Sequence, residues 1–287
     1  MFDKIKAALE IKRQYGISVA TKVSLNRLGV PTYVQVRYPM TSLSIRLENA
    51  PIIFWKTLEQ KKWEPNLMRF INELVTPGET ILEVGAWMGP LTFLLSHLTG
   101  PTGTVYAFEP MPHSFSLLKS GINNNRIKNV RLFNMAISDF IGSLMLHAPS
   151  SNSDLATSLE PEILVDPKTE KQKFTIKTTC KCTTIDAFCK EYAITPSGFK
   201  IDVEGAENNV FKGAIKTIEK TNPWCLLEFH GHLISESARR KTWTFIREHA
   251  GKILYIDGDE TNLSYKQEVP SNFQPIRRGN YCVFFGS

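Results

Sequence analysis

This sequence has no long apolar run and too few cysteines for a disulfide framework, and we expect no secretory leader. No uninterrupted apolar stretch approaches the roughly 20 residues that a helix needs to span a bilayer. The N-terminus carries charge from Asp3 and Lys4 onward, which does not fit a secretory signal, and we therefore expect a cytoplasmic protein. Only five cysteines occur in 287 residues, an odd number that favours free, buried thiols over disulfide bonds. Internal repeats and low-complexity tracts are lacking as well, so we expect one large α/β domain with a modest appendage.

The charge of the chain is only mildly one-sided. Lysine and arginine together number 34, against 28 aspartate and glutamate residues, which gives a formal net charge of +6. Such an excess suits an acidic substrate, an anionic membrane surface or nucleic acid, but scattered surface lysines explain it more simply. We therefore predict no nucleic-acid partner.

The N-terminal part, residues 1–75, is predicted to be a helix and β-hairpin extension of the main domain, residues 76–287. Phe2–Val30 has a helical pattern with basic residues around a thin apolar side. A helix packed on the main domain explains this pattern more simply than peripheral membrane contact, which stays the alternative because basic amphipathic helices can rest on membranes. Thr32–Arg37 and Ser42–Leu47 alternate like a pair of strands.

Thr80–Gly89 is predicted to be a buried strand followed by a glycine loop, with a helix after it. Gly85 and Gly89 let the backbone turn tightly and approach a ligand closely. The next strand, Thr104–Phe108, ends in Glu109, and an acid at this place accepts hydrogen bonds from the hydroxyls of a ribose. The loop and the acid together predict an adenosine-bearing cofactor. The G-x-G-x-x-G spacing of pyrophosphate binders is missing, which counts against an NAD-dependent oxidoreductase, the first alternative.

The next buried strand is predicted at Asn129–Ile137. Ligands of doubly wound folds bind at the carboxyl ends of strands, so the end of this one, Ala136, Ile137 and Ser138, is expected to reach the edge of the cofactor's base. The polar stretch Ser150–Lys173 predicts a long loop of the kind that forms lids or binding loops.

Phe174–Thr184 alternates like a strand, with Cys180 and Cys182 on its apolar face. Two thiols at this spacing also suit a metal ion, but the sequence offers no C-x-x-C pair or histidine partner at a suitable distance. Buried structural cysteines therefore explain the pair better than a zinc site.

Two apolar strands of the second half of the chain lead into acidic residues. The first runs into three carboxylates, Asp202, Glu204 and Glu207. Acids at the start of a helix explain Glu204 and Glu207, but not Asp202, which is flanked by isoleucine and valine. The second strand carries Glu228 next to His230, and a buried acid is costly unless it is paired or functional. If the strands are parallel neighbours, Asp202 and Glu228 converge, where they can hold a divalent metal or supply a general base. His230 alone fits a surface imidazole as well as a catalytic role.

Six stretches of the sequence together resemble the FkbM family of S-adenosylmethionine-dependent methyltransferases. They are Ile81–Gly89, Val105–Pro110, Asn134–Asp139, Thr184–Asp186, Lys200–Glu207 and Leu226–His230. Glu64-Pro65, which opens a predicted helix, also resembles the family's upstream signature, whereas Trp87 stands where the family often has a small polar residue. The resemblance implies an α/β, Rossmann-like class I methyltransferase fold: a seven-stranded, mostly parallel sheet with an antiparallel final strand. The strands predicted at Ile253–Ile256 and Tyr281–Phe285, with no helix between them, agree with this.

The resemblance also implies an activity, O-methylation of a sugar or natural-product hydroxyl, and a set of site residues. We therefore expect a small-molecule or carbohydrate acceptor. Binding of S-adenosylmethionine is implied for Glu83, Gly85, Ala86, Gly89, Glu109, Pro110, Ala136, Ile137, Ser138 and Asp202. The candidate catalytic residues are Asp202, Glu204 and His230. Asp202 and Glu228 are similar, more loosely, to the magnesium ligands of catechol O-methyltransferases, so Mg²⁺ is a candidate second cofactor. A non-catalytic, membrane-associated binding module is the second alternative, and homo-oligomerisation stays open.

Overall fold

The computed structural model describes residues 19, 21–23, 32–148, 176–256, 266–270, 273 and 278–286. The chain divides into two compact units. One comprises the described residues up to Pro65 together with Leu117–Ile127, and the other comprises Asn66–Ser116 and the described residues from Lys128 onward. The predicted helix Phe2–Val30 lies outside the described residues apart from 19 and 21–23, which are helical, and the predicted loop Ser150–Lys173 lies wholly outside them. The domain division between residues 75 and 76 stays a prediction.

The first unit contains the predicted strand pair. Strands β1 (Tyr33–Arg37) and β2 (Ser44–Glu48) pair antiparallel. Buried and exposed residues alternate along both strands, which is the period of two expected of a half-buried hairpin. Helix α1 (Ile52–Glu59) follows and buries Trp55 and Leu58. This helix is an addition to the elements predicted above.

The remaining elements form a large and a small sheet with connecting helices. In chain order they are α2 (Pro65–Leu74), β3 (Thr80–Val84), α3 (Pro90–Thr99), β4 (Thr104–Phe108), α4 (Pro112–Asn124), β5 (Val130–Phe133), β6 (Ala136–Ile137), β7 (Gly142–Ala148), β8 (Ile176–Thr183), α5 (Ile185–Glu191), β9 (Gly198–Ile201), α6 (Glu207–Lys212), α7 (Ile215–Thr221), β10 (Trp224–His230), α8 (Glu236–His249), β11 (Ala250–Ile256), β12 (Lys266–Glu268) and β13 (Arg278–Phe285). Ser235 caps α8 by accepting a hydrogen bond from the N–H of Ala238, as its place before the helix predicts.

The large sheet has the strand order β12-β11-β13-β10-β9-β3-β4-β5 within the described residues. Strands β5, β4, β3, β9 and β10 are parallel, whereas β13 runs antiparallel to its neighbours β10 and β11. The predicted α/β class I methyltransferase architecture, with its antiparallel strand, is confirmed. The predicted count of seven strands is not, because β12 adds an eighth strand beside β11.

The parallel strands are buried because helices cover the sheet. Every residue of β9 and of β10 is buried, which is why both read as nearly continuous apolar runs. Phe108 and Phe133 pack against Phe188 of α5, with ring centroids 4.8 and 4.9 Å from it. Among the residues that the structure describes, no helix combines the length and the apolar character needed to cross a membrane.

Two predicted elements are interrupted. The stretch Asn129–Ile137 is not one strand: β5 belongs to the large sheet, while β6 pairs with β8 in the small sheet, whose order is β6-β8-β7 in the described part of the chain. The helical pattern after Glu207 is divided into α6 and α7 around Gly213. A Cβ on Gly213 would lie 2.1 Å from the carbonyl oxygen of Ser138, so the chain passes too close there for a side chain.

Candidate active site

The glycine loop after β3 has left-handed backbone at three places. The φ angles are +83° at Gly85, +51° at Trp87 and +94° at Gly89. A Cβ on Gly85 would lie 1.8 Å from the carbonyl oxygen of Asp202, so the close approach that requires this glycine is to the neighbouring strand end. For the bulky Trp87, a left-handed φ costs on the order of 1–3 kcal/mol, and such local strain is typical of functional loops.

Glu109 ties the glycine loop to the end of β4. Its Oε2 accepts a hydrogen bond from the N–H of Trp87 at 2.7 Å, and its Oε1 accepts one from the N–H of Met111 at 2.8 Å. The amide of Asn134 donates to the carbonyl oxygens of Glu109, at 2.8 Å, and Pro110, at 3.1 Å. The predicted ribose acid therefore stands beside the loop, buried and fixed in orientation by the backbone.

Glu83, the fourth of the five residues of β3, is a buried acid within the sheet. Its side chain is fully buried, and its Oε2 accepts a hydrogen bond from the hydroxyl of Thr92 at 2.6 Å. Its Oε1 has no hydrogen-bond partner among the described residues. Burial raises the pKa of Glu83 from its ordinary 4.5 to about 7, although the nearby Lys200 lowers it. A buried acceptor without a donor fits a cationic group of a ligand, such as the amine of S-adenosylmethionine.

Lys200 connects the glycine loop to the acids at the ends of β9 and β10. The side chain is buried, and its Nζ donates to the carbonyl oxygen of Gly85 at 2.9 Å and to Oδ2 of Asp202 at 3.3 Å. Burial lowers the pKa of Lys200, but the surrounding carboxylates, first among them Asp202, outweigh burial and raise it above its ordinary value. Lys200 is a residue of this candidate site to which the sequence analysis gives no role, although it opens the stretch Lys200–Glu207. The available signal is a lysine inside an apolar parallel strand, where an unpaired charge is costly.

His230, the last residue of β10, lies at the centre of a carboxylate cluster. Only 2% of it is exposed, so it is not a surface imidazole. Its Nδ1 is 2.9 Å from Oε1 of Glu207, and its Nε2 is 3.4 Å from Oε2 of Glu204, 3.4 Å from Oε1 of Glu228 and 3.9 Å from Oδ1 of Asp202. Burial lowers the pKa of His230, but hydrogen bonds to two of these carboxylates and the charges of the other two raise it to about 11. The ring is therefore an imidazolium at neutral pH.

The predicted catalytic residues and the predicted metal pair are brought together in this cluster. Asp202 is partly exposed, with 28% of its side chain accessible. Burial raises its pKa, Lys200 lowers it, and the nearby Glu228 raises it again. Asp202, Glu228 and His230 each offer one ligand atom, and the three atoms lie within 4.8 Å of one another. Carboxylate oxygens suit Mg²⁺, but the ring nitrogen of His230 binds a metal only after it has lost its proton.

The residues predicted to reach the cofactor's base lie at the end of β6 in the small sheet. Ala136 is partly buried, and Ile137 and Ser138 are buried. The N–H of Ser138 donates to the carbonyl oxygen of Thr183 at 2.9 Å. Their contact with a cofactor stays a prediction. Cys180 and Cys182 are buried and free, as are the other three cysteines, and all five lie within the described residues.

Comparison with known proteins identifies the family. The family model described as the methyltransferase FkbM domain matches residues 83–254, which is more than half of the chain. The 31-O-demethyl-FK506 methyltransferase FkbM of Streptomyces tacrolimicus is 38% identical over 66 residues, and the match spans 23% of this chain and only 25% of that protein.

Two solved structures are similar at low identity. The methyltransferase FkbM of Methylobacillus flagellatus is 13% identical with a TM-score of 0.45, covering 80% of this chain and 54% of that one. The SAM-dependent O-methyltransferase of Thermotoga maritima is 12% identical with a TM-score of 0.42, covering 88% of this chain and 78% of that one. On the match of the family model over residues 83–254, the chain belongs to the FkbM methyltransferase family.

Proposed function

We propose that this chain transfers the methyl group of S-adenosylmethionine to a hydroxyl oxygen of a small molecule or carbohydrate. The observation that carries the proposal is the junction of two groups at one edge of the sheet. The glycine loop with Glu109 and Glu83 stands beside the cluster of Asp202, Glu228 and His230, and Lys200 bonds to both. Ligands of open α/β sheets bind at this edge, at the carboxyl ends of the parallel strands.

S-adenosylmethionine, when bound, supplies a methyl group on a sulfonium that needs no further activation. The acceptor hydroxyl does need help, because its proton must leave as the new carbon–oxygen bond forms, and the pKa of a simple hydroxyl is near the ~15.7 of water. Asp202 suits the role of proton acceptor, since its side chain is partly exposed, it bonds to Lys200 beside the glycine loop, and its pKa is raised by burial. His230 already carries both ring protons at neutral pH, so its part is to stabilise negative charge on the carboxylates around it.

Metal assistance is the second candidate mechanism. It is favoured by the spacing of Asp202, Glu228 and His230, whose ligand atoms lie within 4.8 Å of one another. A divalent ion held there, Mg²⁺ or a softer metal, would lower the pKa of the acceptor hydroxyl. Turnover that survives extensive chelation unchanged excludes this version, whereas turnover restored by one added divalent metal supports it.

The proposal is tested by measuring the release of S-adenosylhomocysteine with a panel of alcohols and sugars as acceptors. We expect Asp202→Asn to lower turnover by about 100-fold or more, the usual contribution of a general base. Glu236→Gln is the matched control, because it removes one negative charge from an exposed ion pair with Arg240 on α8. Full activity in Asp202→Asn excludes Asp202 both as base and as metal ligand.

Of the alternatives, the oxidoreductase is the less favoured, because the loop lacks the G-x-G-x-x-G spacing and the family is one of methyltransferases. The membrane-associated binding module depends on the basic N-terminus, most of which lies outside the described residues. It predicts binding to anionic liposomes that is lost when residues 1–30 are deleted, with no affinity for S-adenosylhomocysteine.

A further inference from the structure

We infer that Glu207 is a positioning residue that fixes the ring of His230, so that Nε2 and not Nδ1 faces Asp202, Glu204 and Glu228. The inference deepens the proposed function and rests on it for its catalytic meaning. The contact itself stands on the geometry of the cluster alone.

Glu207 is the first residue of α6, and its side chain contacts the ring of His230. The side chain is fully buried, and one oxygen, Oε1, accepts two hydrogen bonds. One comes from Nδ1 of His230 at 2.9 Å and the other from the backbone N–H of Gly205 at 3.1 Å. The second bond anchors the carboxylate to the turn between β9 and α6. His230 therefore meets an acceptor whose place is set by backbone rather than by a free side chain.

This contact determines which nitrogen serves the site. Because Oε1 is an acceptor for Gly205, the bond to His230 places a proton on Nδ1. Nε2 then points to the other acids, 3.4 Å from Glu204 and from Glu228. Turning the ring over would direct carbon atoms at these acids and leave Glu207 without its donor. The same orientation serves an imidazolium among carboxylates and a metal-binding imidazole, so the inference does not depend on which of the two is at work.

The other oxygen of Glu207 gives an independent reason to assign a function to this acid. Oε2 is buried and has no hydrogen-bond partner among the described residues. A buried carboxylate oxygen without a donor lowers stability, so packing alone does not account for an acid at this position. The contact with His230 does account for it.

The test is the ¹⁵N spectrum of the histidine rings in the full chain, where only six histidines give signals. The signals of His230 are assigned as those lost in His230→Gln. We expect the wild type to show a protonated, hydrogen-bonded Nδ1 on His230, and Glu207→Gln to shift that signal. Glu219→Gln, an exposed acid on α7, is the control and leaves the signal in place.

Turnover and cofactor affinity give the second readout. In Glu207→Gln we expect turnover to fall about 10- to 100-fold, as for other residues that orient a site histidine, while affinity for S-adenosylhomocysteine stays within about twofold. An unprotonated Nδ1 in the wild type overturns the inference, even if Glu207→Gln does not fold. Ring signals and turnover both unchanged in Glu207→Gln overturn it as well. If the wild type shows the expected Nδ1 proton but no affinity for S-adenosylhomocysteine, the proposed function fails and the contact stands.

Discussion

We predict that Gly85→Ala destabilises the protein and weakens cofactor binding. The added Cβ would lie 1.8 Å from the carbonyl oxygen of Asp202, and the backbone φ of +83° is left-handed. A left-handed backbone costs an L-residue about 1–2 kcal/mol. Forcing extra atoms into a packed region costs about 1–3 kcal/mol more, because either the loop or the end of β9 must move. We therefore expect the free energy of unfolding to fall by about 2–5 kcal/mol.

Gly78→Ala is the matched control. Its φ of +89° is nearly the same, but an added Cβ meets only Oγ1 of Thr102, at the ordinary contact distance of 3.6 Å. Only the conformational cost of about 1–2 kcal/mol applies there. Urea unfolding at constant m-value compares the two variants, and calorimetry with S-adenosylhomocysteine measures whether affinity drops in Gly85→Ala alone. If Gly85→Ala is no less stable than Gly78→Ala and binds S-adenosylhomocysteine equally tightly, the close approach to Asp202 does not determine the conformation of the glycine loop.

Three further predictions concern the buried acids and His230. Burial raises the pKa of Glu83 from 4.5 to about 7, so the folded protein keeps a proton that the unfolded chain has released, and the free energy of unfolding falls as the pH rises between these values. In Glu83→Gln we expect a smaller fall, measured by urea unfolding at pH 5 and pH 8. An equal fall in the wild type and the variant contradicts the prediction. The pKa of His230 is raised to about 11, so the stability contributed by its charge is fully present below pH 6.5 and is lost as the pH rises toward 11. In His230→Gln we expect this pH-dependent loss of unfolding free energy to disappear, which urea unfolding at pH 7 and pH 10 measures. The carboxylate of Glu109 accepts hydrogen bonds from the backbone N–H groups of Trp87 and Met111. In Glu109→Gln the new amide group places a donor against one of these two N–H groups, so we expect the free energy of unfolding to fall by about 1–3 kcal/mol. Unchanged stability would show that these bonds do not hold the loop.

The sequence predicts the centre of the fold because local pattern and burial coincide there. Strands β3, β9 and β10 are short apolar runs that end in glycine or acids, and parallel strands covered on both faces show that pattern. Helix α1 is missing from the predicted elements, although the three-residue spacing of its buried Ile52 and Trp55 carries a helical signal. The break between β5 and β6 has no such signal, since it depends on pairing with Cys182, far along the chain.

The site is predictable to a similar degree. Asp202, Glu228 and His230 are found from residue type and position at strand ends, and the structure brings them together with Glu204. The positioning role of Glu207 cannot be predicted from the sequence, because the helix dipole explains an acid in the first turn of a helix equally well. Its contact with His230 joins the first residue of α6 to the last residue of β10, 23 residues further along the chain, and no local pattern specifies it.

The central claim, that this chain binds S-adenosylmethionine at the glycine loop, is tested most directly by calorimetric titration with S-adenosylhomocysteine. We predict micromolar affinity for the wild type, about −8 kcal/mol, and clearly weaker binding by Glu109→Ala, which lacks the acid at the end of β4. A parallel titration with NAD⁺ is expected to give no binding. No affinity for S-adenosylhomocysteine, or binding of NAD⁺ in its place, contradicts the account.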